Sequence, residues 1–144
     1  FEFFAGETFT FNFAGSLELK SIIDDPGQES AFAAGEFRLL LLNESDPGAE
    51  QEFLQIFTFL ETLGNEPEPI VDRQGNFNLT LLEVTQSLGG LEESALINFE
   101  GTYSQTFDSA TTFSLQDASL FLTAAAQAVP DPSVVLGLMS LVSY

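Results

Sequence analysis

Carboxylate is the one abundant reactive group in this 144-residue chain, which has 22 Asp and Glu against 3 Lys and Arg, with no His and no Cys. Carboxylates in such numbers can do two kinds of work. Clustered in loops they can hold Ca²⁺, which takes roughly 6–8 oxygen ligands in a flexible shell. In pairs they can hydrolyse glycosides, one as acid and the other as base or nucleophile. The clusters are Asp24-Asp25 with Glu29, then Glu44, Asp46, Glu50 and Glu52, then Glu61, Glu66 and Glu68, then Glu92-Glu93. Asp24, Asp25 and Glu29 form the best-placed Ca²⁺ set, because Pro26-Gly27 between them would turn the chain back on itself. No EF-hand loop or Gly/Asp-rich nonapeptide accompanies them, so a solvated acidic surface is the plainer reading. No cofactor other than such a Ca²⁺ is expected. With this many acids some pair always falls at a workable spacing, so pairing alone carries no information about hydrolysis.

The missing residue types exclude more than the carboxylates propose. Without His there is no imidazole base, and Ser-His-Asp or Cys-His nucleophilic catalysis cannot be built. Zinc sites based on imidazole or thiolate are excluded as well. The chain has no Trp and only two Tyr, Tyr103 and Tyr144, as hydroxylated rings. The reading is therefore non-enzymatic, with a carboxylate-only hydrolase as the third alternative. A net charge of -19 repels nucleic acid and anionic lipid surfaces, so neither is an expected partner. No run approaches the ~20 apolar residues of a membrane-spanning helix.

The elements that would carry these groups read mostly in period two. From Thr8 to Phe13, Phe9, Phe11 and Phe13 alternate with Thr8, Thr10 and Asn12, which predicts a strand with one aromatic and one wet face. Gly15 is expected to break it, with Leu17 and Leu19 resuming. Asp24-Asp25-Pro26-Gly27 and Asp46-Pro47-Gly48 are turns. Phe37 to Leu42 is a nearly continuous apolar run, interrupted by Arg38, that suits a central strand. Phe53 to Leu60 fits either a strand or a short helix by pattern, and its Thr58 and Phe content favours a strand. In Gly75 to Val84, Phe77, Leu79 and Leu81 are expected on one face. Asp117-Ala118 is expected to mark a bulge or a bend between two strand halves. Most of the 16 Phe are expected in the core, since the ring has no polar handle. Seven to nine short strands without a long amphipathic helix predict an all-β fold, a single antiparallel β-sandwich or jelly-roll-like domain with extended terminal strands.

The tail carries the one resemblance. Val129-Pro130-Asp131-Pro132-Ser133, followed by the apolar run from Val134 to Leu141, resembles the sorting signal of bacterial PEP-CTERM proteins. In that family a Val-Pro-Glu-Pro-Ser stretch precedes a hydrophobic segment and a basic cluster. Here Asp131 stands in the Glu position, the apolar run is shorter, and no Arg cluster follows. The resemblance implies export by a bacterium and a place at the cell surface or outside it. A first residue of Phe rather than Met fits a mature chain freed of its signal peptide, and equally a chain trimmed in some other way.

Composition and tail together set the functional expectation. Residues 1–128 are read as a β-sandwich with residues 1–13 as an N-terminal strand, and 129–144 as a Pro-hinged apolar tail. A free apolar strand needs shelter in a sheet: each end is either an edge strand of its own domain, the ordinary arrangement, or a strand donated to a neighbouring copy. The expected contact residues are Phe1, Phe3, Phe9, Phe11 and Phe13 at the head, and Val134, Leu136, Leu138 and Leu141 in the tail. The expected function is a secreted structural subunit of an extracellular filament or matrix, joined to itself by strand donation. Bridging cations would offset the acid repulsion. The alternative is a monomeric surface module, lectin-like and binding extracellular polysaccharide, or Ca²⁺-binding.

Overall fold

In a computed structural model of the chain, two antiparallel sheets pack face to face as a β-sandwich. The structure describes residues 1–24, 30–61, 67–127, 133–135 and 139–143. The strands are β1 (Glu2–Phe3), β2 (Thr8–Ile22), β3 (Ser30–Asn43), β4 (Glu52–Glu61), β5 (Ile70–Gln74), β6 (Phe77–Ser87), β7 (Glu92–Thr106), β8 (Thr111–Gln127), β9 (Ser133–Val135) and β10 (Met139–Ser143). One sheet, here sheet A, has the order β1-β8-β3-β4-β5. The other, sheet B, has the order β10-β2-β7-β6, with β9 also pairing to β2. β3, β4 and β5 form a meander, and β8 returns from sheet B to lie beside β3, a Greek-key order.

Alternation places the core. Phe9, Phe11, Phe13, Leu17 and Leu19 of β2 point inward and meet Phe37, Leu39 and Leu41 of β3 and Leu54, Ile56 and Leu60 of β4, all buried. Gly15 does not break β2, which runs unbroken through 15 residues, every one paired with β7. Gly15 lies opposite Phe99, and a Cβ there would come within 2.5 Å of the Phe99 ring. Phe13 in turn lies opposite Gly101, where a Cβ would come within 2.3 Å of the Phe13 ring. Each ring thus folds over the glycine facing it, the use of a strand glycine where a neighbour must approach closely. Both rings then reach Phe37 of the opposite sheet, with centroids 6.2 Å (Phe13) and 4.5 Å (Phe99) from it.

Two bulges adjust the pattern. The β3–β8 register slips between Leu40 and Leu41, leaving Gln116 unpaired one residue before Asp117. The β6–β7 register slips between Leu79 and Leu81, leaving Thr80 unpaired. Past that second bulge the expected alternation of β6 is not kept cleanly: Leu82 lies opposite Phe99 yet is exposed, and Leu81, opposite Glu100, is half-buried. The expectation for Phe is also corrected. Of the 16 Phe, eight are buried: Phe9, Phe11, Phe13, Phe37, Phe77, Phe99, Phe107 and Phe113. Several of the others lie on the solvent side of sheet A.

Candidate functional site

The edge of β2 opposite β7 is where the tail resides. β9 pairs antiparallel with its far end, Ser133 opposite Ile22 and Val134 opposite Ser21. β10 pairs with its first half, Met139 opposite Gly15 and Leu141 opposite Phe13. Leu136 and Leu138 lie outside the described residues. The tail holds this edge with strands of 3 and 5 residues, against 15 on the β7 side. β2 is therefore a central strand only because the tail lies beside it.

The head is placed differently. Phe9, Phe11 and Phe13 are buried in the body's own core. Phe3 stacks on Phe107 at 4.7 Å, and the exposed Phe1 stacks on Phe9 at 5.1 Å. β1 pairs with the start of β8, Glu2 opposite Thr112. Withdrawing the head would open the core and strip the long β2–β7 ladder. The tail is the terminal segment that could change partners without that cost. Of the expected Ca²⁺ set, Asp24 is exposed at a bend after β2, while Asp25 and Glu29 lie outside the described residues. Among the described residues no three Asp or Glu side chains converge as a metal site would require.

One buried polar group ties the two sheets. Tyr103 of β7 is fully buried, and its hydroxyl donates to Glu52 Oε2 of β4. Glu52 Oε1 accepts the Asn76 N–H at 3.0 Å, across the two-residue turn joining β5 to β6. Gly75 in that turn has a φ of 92°, and the Glu52 carboxylate fills the space a side chain there would need. Burial first, then the hydrogen bond and charge of Glu52, push the Tyr103 hydroxyl well above its ordinary pKa. The ring is thus a protonated clasp between the two sheets. A cleft of about 440 Å³ lies between the edge strands β5 and β6, where Arg73 Nη1 donates to the Phe77 carbonyl at 3.3 Å.

The two outer faces differ in chemistry. On sheet B, Thr8 bonds Thr106 at 2.8 Å and Thr10 bonds Ser104 at 3.0 Å, a hydroxyl-lined surface. On sheet A, β4 turns Leu54, Ile56, Thr58 and Leu60 inward and Phe53, Phe57 and Phe59 outward. Phe32 of β3 stands near Phe59, with centroids 6.2 Å apart, and Phe57 near Phe59 at 6.4 Å. Phe121 of β8 is 53% exposed and Ile70 of β5 is 58% exposed. Arg38 and Glu36 form an ion pair of 3.0 Å on this face. This surface was missed in the sequence because Phe was assigned inward by type. The parity of Gln55 and Glu61 with Phe57 and Phe59, and of Glu36 and Arg38 with Phe32, was the signal for it.

No protein-family model matches the chain, and neither a curated protein nor a solved structure matches it.

Proposed function

We propose that the chain is an exported, non-catalytic bacterial structural protein that joins copies of itself through its C-terminal strands, as a subunit of an extracellular filament or matrix. The observation that carries this reading is the β2 edge. Among the described residues, that edge is closed by strands of 3 and 5 residues that follow Pro130 and Pro132 in the sequence. The same antiparallel ladder forms whether the tail comes from the same chain or from the next, because the hydrogen bonds and register are identical. Exchange therefore costs little per contact, and the balance rests on hinge and concentration. The resemblance of the tail to a PEP-CTERM signal supports export. A charge of -19 keeps single copies apart until salt or divalent cations screen it, so assembly belongs outside the cell, where such ions are plentiful.

The experiment is negative-stain microscopy of the chain with and without residues 133–144. Filaments or clusters are expected with the tail and separate particles without it. Equal assembly in both, or none in either across a range of salt, would refute tail exchange.

A further inference from the structure

Tail exchange leaves the outer face of sheet A unused. We propose that this face binds an extended neutral polysaccharide, with sugar rings stacked on Phe57 and Phe121 and hydroxyls bound by the polar row beside them. The register lays out both rows. Phe121, Glu36 and Phe57 are successive partners across β8, β3 and β4. Two strand spacings separate the rings, roughly 10 Å, which matches two sugar units of an extended pyranose chain. The neighbouring row, about 7 Å along the strands, runs Ser119, Arg38, Gln55 and Asp72.

Charge and hydrogen bonding choose this occupant over others. An anionic polymer or lipid surface meets a molecule of charge -19, and this face holds acids as well as Arg38. A second copy pressed on the face would drive the Glu36–Arg38 pair out of water. A neutral sugar chain carries no charge, has apolar C–H faces for the rings, and has hydroxyls that both donate and accept. Arg38, Gln55 and Asp72 of the polar row supply accessible donors and acceptors for such hydroxyls, while the Ser119 Oγ is itself covered. The proposal does not depend on where the tail pairs.

The test is native electrophoresis of the full chain through gels holding hydroxyethyl cellulose, galactomannan or dextran, with dextran sulfate as the charged comparison. At least one neutral polymer is expected to retard the protein, with little dependence on salt. Phe57→Ala with Phe121→Ala should weaken that retardation at least tenfold, while Thr10→Ala on the opposite face should leave it unchanged. Should the double variant unfold, Phe121→Ala alone serves, since its ring stands more than half in solvent. Three results would overturn the proposal. One is that no neutral polymer retards the wild type. Another is that the variants bind as it does. The third is sedimentation showing that the two rings instead hold copies of the chain together.

Discussion

Replacing Gly101 by Ala puts a methyl group where the Phe13 ring lies. The new Cβ would stand 2.3 Å from Phe13 Cζ and 2.6 Å from the Asn78 carbonyl oxygen. The ring cannot easily swing aside, because Phe13 is 2% exposed and packs on Phe37 and Phe77. The carbonyl belongs to β6 two residues before the Thr80 bulge, so the second clash is with backbone. Gly15→Ala is milder: its Cβ would meet only the Phe99 ring, at 2.5 Å. Overpacking a core costs about 1–3 kcal/mol and sometimes more, while the lost flexibility of the unfolded chain returns about 0.4–1 kcal/mol. Gly101→Ala should therefore lose about 2–3 kcal/mol and Gly15→Ala about 1 kcal/mol. In a chain of this size each kcal/mol lowers the melting temperature by about 3 °C. Urea unfolding followed by circular dichroism reads both. A Phe13→Leu partner should recover part of the Gly101→Ala loss, giving a coupling of about 1 kcal/mol in a double-mutant cycle. Gly101→Ala as stable as the wild type, or less harmful than Gly15→Ala, would refute the account of how the two rings fit.

Three further outcomes are expected. Tyr103→Phe should lose about 2 kcal/mol at neutral pH, since it removes a hydrogen bond to a charged group and leaves Glu52 short of a donor. Because the folded state raises the Tyr103 pKa, its stabilisation is full below the unfolded value near 10 and is lost as pH rises beyond it, by up to ~1.4 kcal/mol per pH unit. Tyr103→Phe should flatten that alkaline fall in an unfolding series from pH 8 to 12. Phe37→Ala should cost about 3–5 kcal/mol, whereas Phe121→Ser should change stability by less than about 1 kcal/mol, because one ring bridges the sheets and the other faces water. Raising ionic strength from ~0.01 to ~0.15 M shortens the screening length from about 30 to about 8 Å, so the protein concentration needed for assembly, read by light scattering, should fall.

Much of the fold is legible in the residues, and the losses have identifiable causes. Phe9, Phe11 and Phe13 alternate with polar neighbours, and the structure buries all three. Asp46-Pro47-Gly48 makes its turn through local bonds, Gly48 N–H to Asp46 Oδ1 at 3.1 Å and Ala49 N–H to the Asp46 carbonyl at 3.0 Å. Gly15 was misread because a glycine alone signals a break, and only the cross-strand partner Phe99 shows it to be a seat for a ring. The register slip in β6 depends on an unpaired Thr80, which alternation does not encode. In β4 both parities are apolar, so the pattern fixes a strand but not its facing. Polar Gln55 and Glu61 settle that facing, and they send Phe57 and Phe59 to the surface that would hold a ligand. The tail is apolar and strand-length by sequence, but its address on β2 emerges only from the sheet order.

The absence of native cysteine allows the most direct measurement of the central claim. Ala14 and Ser140 are register partners across β2 and β10, so cysteines placed at both can be oxidised into a bridge where the strands pair. Under assembling conditions, tail exchange predicts a ladder of covalent oligomers on a non-reducing gel, collapsing to one band on reduction. A single bridged monomer, formed in material that microscopy shows to be assembled, would contradict it.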